Sequence, residues 1–157
     1  MIEFLVKNVL CPFAGTIAYS ILFSVPKRYY ISCGFTGMAG WLMYLFISNY
    51  TIFSAAVGSF FGSLLVVLIS RMLAVRMKCP ITLFLVSGIF PLVPGAGVYY
   101  TAYYLVTNEM GLAAVKGLEA IKIAFGIVLG IAVVLSIPRG VFQLEYWRQR
   151  RYRRKYE

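Results

Sequence analysis

Apolar residues in this chain run in long blocks, and polar residues gather in the gaps between them. Five blocks stand out: Phe4–Val25, Tyr30–Ile47, Ile52–Ser70, Ile81–Val106 and Ala120–Ile137. A run of about 20 apolar residues is what a helix needs to cross a bilayer core. The pattern therefore predicts an all-α integral membrane protein, a five-span transmembrane helical bundle over residues 1–138. The second block is the shortest and richest in glycine. Residues 139–157 read as a basic cytoplasmic tail.

The fourth block carries the most informative break in this pattern. Its centre reads FPLVPGAGVYY, Phe90 to Tyr100, with Pro91, Pro94, Gly95 and Gly97 inside an apolar run. Proline removes a backbone donor and clashes with the carbonyl four residues earlier, so a helix here kinks or unwinds. Pro91 takes the donor from the Ser87 carbonyl, and Pro94 takes it from Phe90. Gly95 and Gly97 open backbone angles closed to other residues. The reading is two half-helices, about 81–90 and 97–107, with polar backbone between them. In hydrocarbon such backbone is tolerated only against protein or a water-filled cavity. The amide end of the second half-helix suits a carboxylate or another anion, and freed carbonyls suit an ammonium group. Thr101 lies one turn in and offers a hydroxyl. Tyr99, Tyr100, Tyr103 and Tyr104 either form an interfacial belt or line the pathway.

Composition removes the soluble alternatives. Of 157 residues, 61% are hydrophobic and 13% charged, with a mean hydropathy of +0.83. A soluble domain cannot hide that much apolar surface. The amino end, MIEFLVKN, has an acid before its first lysine and no small-residue cleavage site after the apolar run, which argues against a cleaved signal peptide. Charge also orients the bundle, because basic residues collect in cytoplasmic loops. Five spans place twelve of the 15 basic residues on one side, leaving Lys7, Lys116 and Lys122 on the other with Glu3, Glu109 and Glu119. That predicts a multi-pass chain with an outside amino end and a cytoplasmic carboxyl end; a bacterial inner membrane is the expected location. The tail, with Trp147 and its arginines, reads as a helix extension meeting anionic headgroups or as a regulatory contact, not as a nucleic-acid site.

Chemistry is sparse. There is no histidine, three cysteines (Cys11, Cys33, Cys79) lie scattered, and five acids are spread along the chain. No enzyme, metal site or cofactor is expected. Gly58–Gly62 and Gly126–Gly130 are GxxxG pairs, which let membrane helices approach closely, within the chain or between subunits. The span interiors hold almost no ionisable residue, whereas coupled carriers usually need one. Five spans is also half of a carrier built from paired repeats. Together these suggest one half of a heteromeric carrier, transport being uncoupled or coupled through another chain. The alternative is a non-transporting membrane scaffold or assembly protein.

The segment GIFPLVPGAGVYYTAYYLV resembles the threonine/serine exporter family, in particular its small carboxyl-terminal half, which also occurs as a separate short protein. The likeness covers most of the chain in span order, and its specific signature is PxxPG with a following tyrosine. It marks Pro91, Pro94, Gly95 and Tyr99 as motif positions, with Thr101 in a similar local pattern. The resemblance implies export of threonine, serine or a related carboxylate, dicarboxylates included. It also implies a second five-span subunit corresponding to the family's amino-terminal half.

Overall fold

Helix α1, Cys11–Leu22, follows a π-helical turn at Val6–Leu10. Its end is set by Ser24, whose φ of 54° is left-handed. The Val25 N–H donates to the Ser20 carbonyl and the Ser24 N–H to the Ile21 carbonyl, both at 3.0 Å. These are the paired bonds of a Schellman cap. The computed structural model describes residues 6–50 and 54–137, all helix or connection with no strand among them. The start of the first expected span and the basic tail 139–157, with Trp147, lie outside the described residues.

A 3-10 turn at Lys27–Tyr29 leads into α2, Tyr30–Tyr50, and then comes α3, Ala55–Met77. The broken span is α4, Thr82–Ile89, a 3-10 turn at Phe90–Leu92, and α5, Gly95–Val106. Last is α6, Met110–Ser136. Lys78 and Asn108, with φ of 52° and 63°, end α3 and α5 as Ser24 ends α1.

Among the described residues, three helical stretches are long and apolar enough to cross a membrane, Lys27–Asn49, Ala55–Met77 and Met110–Ser136, and the bent pair makes a fourth if its two halves form one span. Five spans are thus not confirmed among the described residues, where the apolar helix Asn8–Leu22 is short. At 1.5 Å per residue its fifteen residues cover about 22 Å, against a core of about 30 Å. Two boundaries also move. α3 runs past Ser70 to Met77, so Arg71 and Arg76 are helical and not in a loop. α6 begins ten residues before Ala120, which puts Lys116 and Glu119 inside the helix.

The bundle is organised about α3, which packs against α2 on one face and α6 on another. Glycines set both crossings. A Cβ on Gly62 would meet the Gly40 carbonyl oxygen at 3.0 Å, and one on Gly58 would meet the Tyr44 ring at 3.1 Å. Gly126 and Gly130 lie on the α3 backbone at Ala56 and Phe60. Both GxxxG pairs are thus occupied within the chain, each against a different neighbour. The central core gathers Val66, Leu92 and Ile127, with Leu85, Ile89, Ile123 and Ile131 around them. A second cluster of Val25, Tyr29, Cys33 and Phe84 closes one end.

Arg71 is packed at that end of the bundle. Its guanidinium donates to the Val134 and Ile137 carbonyls at 2.7 Å and to Leu135 at 3.4 Å. These are carbonyls at and beyond the end of α6, where a helix leaves acceptors unfilled and its dipole favours a cation. The basic residue read as a loop charge is therefore a clamp between two helices.

Candidate functional site

Two prolines three residues apart determine the local path. After α4 the chain tightens into the turn Phe90–Leu92, then runs extended at Val93 (φ −62°, ψ 128°) before α5 starts behind Pro94. The two half-helices meet at 52°. The break is held in place by Leu92, which is buried and inserted where α2 and α3 cross, close to Gly40 and Gly62. Phe90 stacks on Tyr19 of α1. Tight glycine packing therefore fixes the position of the turn in the bundle.

The carbonyls that the prolines deprive do not remain open. The Phe90 N–H donates to the Ser87 carbonyl, and the Val93 N–H donates to the Phe90 carbonyl at 3.1 Å. Three-residue bonds replace the missing four-residue ones, which is how a 3-10 turn absorbs a proline break. The donors are different. The Gly95 N–H reaches the Val93 carbonyl at 2.7 Å and the Val98 N–H reaches Pro94 at 3.1 Å. The amides of Ala96 and Gly97 are left with no backbone acceptor among the described residues. They sit in the first turn of α5, where the helix dipole adds to their pull on an anion.

These amides border a cavity of about 390 Å³, lined by the break from Pro91 to Gly97 and by α2, α3, α5 and α6. That volume falls in the range of small-molecule sites. Trp41 and Tyr44 of α2 and Ser59 of α3 form one wall. The Trp41 Nε1–H is buried there without a partner. Lys116, Glu119, Ala120 and Ile123 of α6 form another, and Tyr100 stands beside them. Lys116 Nζ donates to Glu119 Oε2 at 3.2 Å, one turn apart on the same helix face.

Of the residues expected from sequence, Pro91, Pro94, Gly95 and Gly97 come together in this lining. Tyr99 and Thr101 do not. Tyr99 is 65% exposed, and the Thr101 hydroxyl donates to the Gly97 carbonyl of its own helix at 2.7 Å. Thr101 also packs on Gly117, at the α5–α6 contact. The glycines act differently from expectation, since no described glycine has a positive φ. Gly97 is needed for closeness: a Cβ on it would meet that of Ala120 at 3.1 Å. Gly95 has open space around its α-carbon.

Sequence reasoning missed Lys116 and Glu119 as site residues because they were assigned to a loop. The signal was there in the three-residue spacing of opposite charges, the neighbour spacing of a helix. It also missed Trp41, Tyr44 and Ser59, which read as ordinary apolar-helix residues. Buried hydroxyls elsewhere are satisfied locally. Thr16, Ser20, Thr36, Ser70 and Ser87 each donate to a carbonyl four residues back in their own helix, a common fate of Ser and Thr in helices.

Apolar helices of this length around a broken span define a multi-pass membrane protein. The chain belongs to a family described as Threonine/Serine exporter, ThrE, whose profile matches residues 8–137. This is a family of transporters, not of enzymes. Comparison with curated proteins and with solved structures gives no match.

Proposed function

We propose that the chain is one subunit of an inner-membrane exporter for threonine, serine or a related carboxylate, acting with a second five-span subunit. The observation that carries this reading is the proline break with two unpaired amides on the wall of a small-molecule-sized cavity. A solute carboxylate binds at the Ala96 and Gly97 amides. Val93 and Pro94 serve as the joint about which α4 and α5 change angle, so that the cavity faces each side of the membrane in turn.

The second subunit is supported by how little covers α5. That helix has no buried residue, and it packs mainly along α6. The cavity is therefore walled by the bundle on one side and open on the other. A partner closing the open side completes the binding site and supplies the spans that a carrier built from paired halves requires.

Replacing both prolines tests the assignment of the break. Pro91→Ala with Pro94→Ala allows a continuous helix, and efflux of threonine from preloaded cells is expected to fall at least tenfold with the protein still in the membrane. Efflux at the unaltered rate would remove the break from the transport path. A complex that assembles yet moves neither amino acids nor dicarboxylates would make the chain a scaffold.

Five crossings with an outside amino end make a second prediction. In a background without native cysteines, Asn108→Cys is expected to react with an impermeant maleimide in intact cells. Lys78→Cys is expected to react only after permeabilisation. Labelling of both from the same side contradicts a crossing by the broken span, and the reverse pattern inverts the orientation.

A further inference from the structure

We infer that Lys116 and Glu119 form the solute-recognising charge pair of the cavity and make it selective for a zwitterionic amino acid over a dicarboxylate. The inference rests on the transport reading above. It starts from the break itself. The prolines leave two free amide donors, at Ala96 and Gly97, while the Ser87 and Phe90 carbonyls are already bonded. The amides can hold a carboxylate, and an ammonium group is held best by an acceptor that carries a full negative charge.

Glu119 is the acidic side chain of the lining, and Lys116 is the basic one. The two charges lie at the depth of the break, because Ala120, next to Glu119, packs on Gly97. Counted along α6, Glu119 is nine residues from the start, about 13 Å along the axis. A charge at such depth in a span is costly and ordinarily functional, placed toward protein or water.

The state of the pair suits exchange. Their side chains remain 43% and 54% exposed, and they bond each other at 3.2 Å. An ion pair so open to solvent holds weakly, so a ligand with both charges can displace it. In an α-amino acid the ammonium and carboxylate flank a single carbon, matching two opposite charges on adjacent turns. On binding, Lys116 joins the Ala96 and Gly97 amides around the carboxylate, and Glu119 accepts from the ammonium. A dicarboxylate meets the same donors with one end, but its second anion faces Glu119 and is repelled.

The test measures threonine and succinate efflux from loaded cells of the native host, with the full-length chain restored as its sole copy. Glu119→Gln is expected to raise the threonine KM at least tenfold and to shift the succinate-to-threonine ratio toward succinate. Lys116→Gln is expected to weaken both solutes. Lys122→Gln, on the same helix but outside the cavity lining, leaves both unchanged. Unaltered KM and ratio in Glu119→Gln, or equal loss of both solutes in a protein of native melting temperature, overturns the inference while leaving the transport reading intact. If restoring the unaltered chain gives no efflux of either solute above the deletion strain, the transport reading itself fails.

Discussion

Arg71→Ala is expected to destabilise the protein by on the order of 3 kcal/mol, the largest single-residue loss outside the glycine seam. Arg71 is 9% exposed, and its guanidinium holds three carbonyls at the end of α6 from a position sixty-odd residues earlier in the chain. Hydrogen bonds to a charged group contribute about 1.5–3 kcal/mol each, and buried acceptors left unpaired cost more than the bonds return on average. Part of the loss is recovered because acceptors near a helix end can reach water. The net estimate corresponds to a melting-temperature drop of roughly 6–12 °C for a chain of this size. Arg71→Lys is expected to recover only a fraction, since one ammonium cannot reproduce the planar fork that spans Val134 to Ile137. Cys33 is fully buried and so offers a thiol for following unfolding with a reactive dye, in a Cys11→Ser background because Cys11 is exposed. An unchanged melting temperature for Arg71→Ala would show that the clamp contributes nothing.

This residue shows why some of the molecule was legible from sequence and some was not. Apolar run length gave the membrane class and the approximate positions of most helices, because bilayer thickness constrains it directly. The PxxPG break was legible for a similar reason: proline chemistry acts on the chain locally, whatever surrounds it. Charge was misleading wherever a helix carried it. Arg71 and Arg76 were read as ending the third span, yet α3 continues because Arg71 has carbonyls to bind inside the bundle. Lys116 and Glu119 were read as lying before the fifth span, yet α6 starts at Met110 and keeps the opposite charges one turn apart. The end of α1 was missed for another reason. A serine at left-handed φ gives no glycine signal, so Phe23–Val25 looked like a continuing helix.

The same contrast bears on how the site is assembled. The prolines dictate where the backbone opens, but α2 and α3 decide where that opening lies, by admitting Leu92 between Gly40 and Gly62. Neither glycine belongs to the motif. The cavity thus depends on residues some fifty and thirty positions earlier in the chain, a long-range dependence that no local pattern announces. The glycines of the break also have unequal duties, Gly97 permitting the approach of α6 and Gly95 leaving space beside the free amides.

Gly130→Val is expected to separate α3 from α6 and to abolish the native transition seen by Cys33 reactivity, or to lower it by more than the Arg71 change. A Cβ at this position would fall 2.5 Å from the Phe60 carbonyl oxygen and onto the Ser63 hydroxyl. The hydroxyl can rotate away, but the carbonyl is part of the α3 backbone and cannot. Overpacking a well-fitted core costs about 1–3 kcal/mol when side chains can adjust, and here one helix must move as a body. In a bilayer, close van der Waals approach is a main source of helix association, so the loss extends along the seam through Gly126 and Ala56. Gly111→Ala makes the control. Nothing lies within 4 Å of its added methyl, and alanine is favoured over glycine in a helix by up to about 1 kcal/mol. Its melting temperature should stay level or rise. If Gly130→Val melts with Gly111→Ala, the α3–α6 crossing is not held by close backbone approach, and the position of the cavity wall that α6 carries must be set by something else.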